Sequence, residues 1–394
     1  MGCSGVGKHV ASIQAISFPA STGSNLPYRL DILVNASFPI PDPDQRAHSA
    51  ALVSAICREI EAQDGWISFA RYMALALYAP GLGYYSAGAQ KFGAGGDFVT
   101  APEMSALFGR CLAFQVEEVL GRTGGDLLEL GAGSGRLAVD LLLELQRHDR
   151  LPQQYFILEV SASLRDMQRG KLAVLLPPEL FRRVAWLETL PQTFTGVIVG
   201  NEVLDALPVH LLAWREEGIL ERGLSWEEGL AWRERPLPPG PLLDSAMALA
   251  LPPGYVSELC PAAAGLIASL SDCLLRGAIL FIDYGFPRRE YYHPQRTSGT
   301  LMCHYRHHAH DDPLAYPGLQ DLTAHVDFTA AAEAAQAARL EVLGYTSQAQ
   351  FLINCGITDL LAAITPADPA AYLPAVAQVQ KLLSPAEMGE LFKV

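Results

Sequence analysis

Little in this chain points to a membrane, a nucleic acid or an oxidising compartment. No run approaches the roughly 18 apolar residues that a membrane span needs. Basic residues are scarce, 28 Lys and Arg against 42 Asp and Glu. The resulting formal charge of −14 argues against a nucleic-acid groove and suits basic partners. The seven cysteines are scattered, odd in number and form no C-x-x-C, which reads as reduced thiols. Four of the ten histidines crowd together at His304, His307, His308 and His310. Their spacing fits no helical H-x-x-x-H face and no cysteine pair completes a zinc set, so no metal is expected. The G-x-x-x-x-G-K at residues 2–8 lacks the preceding strand and the following Ser/Thr of a phosphate loop, and Val6 breaks an N-myristoylation signal.

What is present is a long, half-hydrophobic chain of 394 residues, enough for a large core and more than one domain. Its organising stretch is residues 126–145, DLLELGAGSGRLAVDLLLEL. An apolar run carrying one acid, Glu129, leads into Gly131, Gly133 and Gly135, and then into apolar residues at helical spacing. This pattern predicts a buried strand, a tight turn and a helix, the first half of a βαβ unit. Such a turn lies at the carboxyl end of a strand, where open α/β sheets bind ligands. A dinucleotide fingerprint would place its third glycine where Arg136 stands, although a nucleotide turn with that glycine substituted remains an alternative. The acid-x-G-x-G-x-G pattern resembles motif I of class I S-adenosylmethionine methyltransferases. That cofactor has an amino group and a sulfonium and no phosphate, so Glu129 suits it.

The second strand, residues 155–158, ends in Glu159 and Val160. An acid there reads ribose hydroxyls in this architecture, in NAD sites as well. The third strand carries Trp186 and Leu187 near its end, where methyltransferases pack the adenine; a core role is equally open to the tryptophan. The fourth strand ends in Asn201, Glu202 and, a few residues on, Asp205. Two carboxylates and an amide beside a cofactor site are the candidates for substrate chemistry.

Around this core, residues 1–45 look peripheral, rich in Ser, Pro, Gly and Ala. Residues 46–125 form a helical region, with helices at 50–61, 68–78 and 101–120, the last opened by a Thr100/Glu103 capping box. Asp97 and the tyrosines before it have no such local explanation. Residues 126–290 form the core, interrupted by a β-meander over about 211–260. Residues 291–394 supply a loop, an alanine-rich helix at 329–339, a strand near 340–345 and last elements that complete the sheet. The predicted fold class is therefore α/β, with a Rossmann-like sheet, an N-terminal helical region and inserted segments.

Six separated motifs, GDFVTAPE, LELGAGSGRL, LEVS, NEVLDALPVH, DYG and DLTAHVDF, in this order resemble the MidA-like methyltransferases. The resemblance spans about residues 50–394. It implies S-adenosyl-L-methionine as cofactor, held by Glu129, Gly131, Gly133, Gly135 and Glu159, with Val160, Trp186, Leu187, Asn201 and Asp97 around it. It implies Asp97, Asn201, Glu202 and Asp205 on the substrate side; apart from the resemblance, His325 is a candidate proton acceptor. The family's mitochondrial member helps assemble respiratory complex I and is regarded as a protein-arginine methyltransferase. The implied partner is thus a protein with a basic arginine segment, such as a complex I subunit, with no nucleic acid and no membrane span; a homodimer is a further expectation. The composition looks bacterial, hence cytoplasmic, with the mitochondrial matrix as the alternative. Relative to the family pattern the chain stops early, at Val394, so residues 391–394 are expected to pair as the stub of a last strand. Rival readings are an NAD-dependent oxidoreductase and a non-enzymatic assembly factor that keeps a cofactor pocket.

Overall fold

The computed structural model describes residues 39–87 and 100–394; Asp97 lies outside the described residues. Fifteen strands are found among them. In chain order they are β1 (Ile67–Ser68), β2 (Asp126–Leu130), β3 (Tyr155–Leu158), β4 (Val184–Leu187), β5 (Phe194–Asn201), β6 (His210–Arg215), β7 (Gly218–Trp226), β8 (Leu230–Pro236), β9 (Val256–Leu259), β10 (Leu274–Phe286), β11 (Met302–Tyr305), β12 (His308–His310), β13 (Asp321–Thr323), β14 (Val326–Asp327) and β15 (Phe392–Lys393). The central sheet runs β14-β10-β5-β2-β3-β4, with β15 antiparallel on β10 and the other pairings parallel. The chain builds outward from β2 through β3 to β4, then returns to β5 on the other side of β2. The order reverses there, and the carboxyl ends of β2 and β5 form the crevice that α/β sheets use for ligands.

Near-continuous apolar runs make these strands central. Leu127 and Val197 face one layer, whereas Leu128 and Ile198 face the other, as period-2 alternation requires. Helices α4 (Ala106–Thr123) and α5 (Arg136–Arg147) cover the first face, and Pro261–Cys273 covers the second. A separate core joins α1 (Pro43–Ala62) and α2 (Phe69–Tyr78) to the meander sheet. The meander β6-β7-β8 forms as expected, and β1 and β9 extend it to five strands.

Three local expectations are corrected. The helix expected over 101–120 is two, α3 (Ala101–Met104) and α4, broken at Ser105. Ser105 caps α4 by accepting from the Leu107 N–H, whereas the Thr100 side chain makes no cap bond. Helix α1 begins at Pro43 rather than residue 50. Asp42 and Gln45 form a reciprocal capping box there, and a proline just inside the start suits a helix because its missing N–H has no intrahelical partner anyway. No strand forms over 340–345. Beyond β5, β10 is occupied by β14 and β15, and only Thr346 exchanges backbone bonds with Val394, at 3.0 and 2.9 Å. The carboxyl-terminal pairing does occur, with Asp283 opposite Lys393 and Tyr284 opposite Phe392.

Gly196 tests this arrangement. Its φ is +134° and a Cβ would run into the Asp126 carbonyl on β2. Gly196→Ala should therefore lower unfolding free energy by about 3 kcal/mol, combining backbone strain and overpacking. Urea unfolding that shows an unchanged midpoint would contradict the β2–β5 register.

Candidate active site

The glycine turn opens at the end of β2. Gly131, Gly133 and Gly135 have φ of +59°, +52° and +80°, left-handed values that L side chains disfavour. Gly135 has a packing reason as well, because a Cβ there would collide with Leu172 of helix α6 (Ala162–Leu175). The turn is held from both sides. Glu103 of α3 accepts from the Ser134 hydroxyl and pairs with Lys171 at 3.3 Å. On the other side the Gln168 amide donates to the Gly133 carbonyl at 2.9 Å. Glu103 thus serves the turn rather than a local capping box.

Glu129 is 3% exposed and accepts from the Tyr155 hydroxyl at 2.7 Å. Burial pushes it up to about 7, with the Tyr155 bond opposing and Glu159 adding repulsion. Glu159, just past β3, is also buried. Its Oε1 accepts from the Ser161 N–H at 2.9 Å and its Oε2 from Gln168 at 3.1 Å, with the Val160 N–H also facing the carboxylate. Burial raises its pKa. Val160 is exposed. Trp186 donates its indole N–H to Gln168 at 2.9 Å, and the Arg169 guanidinium lies 5.0 Å from its ring centre. Its polar contacts are with α6, while its ring packs against the core and tilts toward Phe181. Leu187, on the opposite face of β4, packs with Leu128, Leu130 and Phe194.

The end of β5 meets the end of β10. Glu202 adopts φ +53°, an uncommon value for a non-glycine residue, and its N–H bonds the Ile282 carbonyl at 2.8 Å. Strain of this kind concentrates at functional sites. Asn201 donates to the Glu202 carboxylate at 3.2 Å while its own Oδ1 is buried without a partner. Asp283, fully buried, gathers the Val203, Leu204 and Asp205 N–H groups on one oxygen at 3.1, 2.8 and 3.3 Å. Asp205 accepts from the Tyr284 hydroxyl on Oδ2, and its Oδ1 is buried without a partner. Asp321 joins from β13, accepting from Tyr85 at 2.9 Å; Tyr85 stacks on Tyr78, whose hydroxyl reaches the Ala206 carbonyl at 2.8 Å. Burial pushes Glu202 up to about 8, with Asp205 and Asp321 adding repulsion. Burial pushes Asp205 to about 6, against the Tyr284 bond. Asp283 lies well above the usual carboxylate range, from burial and then its acidic neighbours.

Sequence reasoning named Glu202, Asp205 and Asn201, and the structure brings them together. Asp283, Asp321, Tyr78, Tyr85 and Tyr284 come from distant segments. The DYG and DLTAHVDF motifs cover Asp283, which is an alternative candidate for the substrate grip, together with Tyr284 and Asp321, whereas Tyr78 and Tyr85 lie outside both. His325 does not fit the proton-acceptor role. Burial and then Arg296 lower it to about 4, and its ring packs edge-on against Tyr284 and beside Phe286 rather than reaching the carboxylates. Among the described residues there is no group of three or more His, Cys, Asp or Glu able to hold a metal ion.

A doubly wound sheet with an acid-led glycine turn at the end of β2 and a second buried acid past β3 agrees with the S-adenosylmethionine methyltransferase class. The family model described as "Putative S-adenosyl-L-methionine-dependent methyltransferase" matches residues 109–346, and the chain belongs to that family. A crystal structure of a superfamily member from Burkholderia thailandensis, bound to S-adenosyl-homocysteine, is similar at 50% identity and TM-score 0.88, covering 91% of this chain and 94% of that one. The chain is 30% identical to "Protein arginine methyltransferase NDUFAF7 homolog, mitochondrial" of Caenorhabditis elegans, over 74% of each. It is also 30% identical to "Protein arginine methyltransferase NDUFAF7, mitochondrial" of Xenopus laevis, over 89% of this chain and 85% of that one. The protein is thus an S-adenosylmethionine-dependent enzyme, which sets aside the oxidoreductase and non-enzymatic readings. The chemistry of the residues present fits the cofactor: a turn of three left-handed glycines and two buried carboxylates at the ends of β2 and β3, and an Asn201 Oδ1 without a partner at the end of β5.

The acids give a pH signature. Glu202 titrates near its ordinary 4.5 when unfolded and near 8 when folded. Within that window the folded chain keeps a proton that the unfolded chain has released. The contribution is complete below the unfolded value and is lost as pH rises through the folded one, by up to about 1.4 kcal/mol per pH unit for each such acid. Ligand-free protein should therefore lose stability as pH climbs through this window, and Glu202→Gln should flatten the slope. Urea unfolding across that range measures it; parallel slopes for the two proteins would count against a neutral, buried Glu202.

Proposed function

We propose that the protein transfers a methyl group from S-adenosylmethionine to an arginine guanidinium nitrogen of a protein substrate. One observation carries this reading. Glu202, Asp205 and Asp283 crowd together at the strand ends, and none of them takes part in an ion pair among the described residues. Buried carboxylates without a cation are costly. A planar, permanently charged guanidinium would relieve them and accept the bidentate geometry they offer. The curated relatives named as protein arginine methyltransferases support the same acceptor.

When bound, S-adenosylmethionine supplies an activated methyl group on a sulfonium. In this reading the glycine turn, Glu129 and Glu159 hold it, with Glu159 accepting both ribose hydroxyls. Glu202 and Asp205 grip the guanidinium and keep its charge on the nitrogens away from the methyl. Asp283 and Tyr284 fix the turn that presents them. Carboxylates poised near neutrality can take the proton that the guanidinium releases, which His325 is too weakly basic to do. The acceptor is a basic protein segment, a respiratory complex I subunit being the candidate that the family resemblance supplies. The neighbour at 50% identity is bacterial, which supports a bacterial setting, whereas the curated relatives are named mitochondrial. Among the described residues, no helix is long and apolar enough to cross a membrane.

Glu202→Gln preserves shape and removes charge. Cofactor affinity should hold, while the rate of methyl transfer to an arginine acceptor falls roughly 10- to 100-fold, the loss of one charge-assisted pair. Labelled methyl transfer into a basic peptide, at saturating cofactor, measures this. Undiminished transfer would move the grip elsewhere, and transfer into lysine alone would overturn the acceptor.

A further inference from the structure

Gln168 lies on α6 and is fully buried, a position where helical periodicity alone would place a hydrocarbon. Its amide makes three hydrogen bonds. Its Oε1 accepts from the Trp186 indole N–H at 2.9 Å on β4. Its Nε2 donates to the Gly133 carbonyl at 2.9 Å and to Glu159 Oε2 at 3.1 Å. These partners leave the amide one orientation. An indole N–H can only donate, so it must face the amide oxygen; a carbonyl and a carboxylate accept, so they must face the NH2. Flipping the amide would set oxygen against two acceptors and NH2 against a donor.

The consequence falls on Glu159. A carboxylate has about four lone-pair sites on two oxygens. The Ser161 N–H occupies one on Oε1 and Gln168 occupies one on Oε2. The Val160 N–H also faces the carboxylate, and the acceptor capacity left over on the two oxygens suits adjacent hydroxyl donors. The same amide, on a residue 35 positions after Gly133, bridges this carboxylate to the glycine turn.

We propose that Gln168, locked by Trp186, is a positioning residue that aims the Glu159 carboxylate at a cis-diol, making the enzyme selective for the 2′- and 3′-hydroxyls of its cofactor. This rests on the reading that Glu159 holds the ribose. It also gives Trp186 a task other than packing the adenine: its N–H sets the direction of the amide, and Arg169 covers its ring.

The test uses calorimetric binding of S-adenosylhomocysteine and of its 2′-deoxy analogue to the full chain. Wild-type protein should prefer the ribose form by about 10-fold, the value of roughly one buried hydrogen bond. Gln168→Leu should lose most of that preference. Trp186→Phe, which removes only the N–H lock and retains an aromatic ring, should lose part of it, and it keeps the question open to experiment if Gln168→Leu does not fold. A residue that merely packs would lower thermal stability and leave the ratio of the two affinities intact; that result in either folded variant overturns the proposal. Glu159→Gln separates the two layers. If it leaves the preference unchanged, the ribose reading itself fails. If it abolishes the preference while folded Gln168→Leu retains it, the ribose reading stands and the role of Gln168 is refuted. In the Glu159→Gln background, Gln168→Leu should have no further effect on the ratio; a second full loss there would show that Gln168 acts by another route.

Discussion

Burial of several carboxylates at the carboxyl ends of two neighbouring strands is the constraint on which the rest of this structure depends. An isolated charge in such a place is expensive, and a protein that keeps several must supply donors, neutralise them by protonation, or reserve them for a cation. All three occur here. Asp283 is supplied with backbone N–H groups from the turn after β5. Glu202 is held close to neutral by its surroundings. Asp205 keeps one oxygen without a partner. The turn bearing Glu202 and Asp205 therefore takes its shape from Asp283, which lies about 80 residues later and belongs to the adjacent parallel strand.

The cofactor side obeys the same logic with opposite means. Glu129 and Glu159 are also buried acids, but each meets a neutral donor, Tyr155 for one and Gln168 with Ser161 for the other. Neutral donors keep an acceptor oriented without consuming its charge. In the proposed reading, a cationic cofactor and a cationic acceptor would supply the counter-charge that neutral donors leave out. The short helix α3 links the two sides, with Glu103 on the glycine turn and the Ala101 N–H facing Glu202.

Sequence patterns read well where the physics is local. The glycine turn follows from three residues that tolerate left-handed backbone, the strands from uninterrupted apolar runs, and the meander from short runs broken by Glu-Gly pairs. Failures came where a nonlocal partner won. Thr100 and Glu103 have the spacing of a capping box, yet Glu103 found Ser134 and Lys171 instead, and Ser105 broke the helix. Residues 340–345 have strand-like composition but no free stretch of β10 beside them. Trp186 was readable as an aromatic near a strand end; which way its N–H points depended on a helix that sequence places 18 residues earlier.

By itself the sequence determined the βαβ unit, the turn and its acid, and the amide and two carboxylates that end β5, because spacing within one segment fixes which side chains share a strand end. Only the tertiary structure decided that Asp283, Asp321 and three tyrosines join Glu202 and Asp205, that the His325 ring packs on Tyr284 and Phe286, and that one glutamine bonds the acid past β3. Those assignments rest on burial and on hydrogen bonds between segments far apart in the chain, and neither quantity exists until the layers have packed.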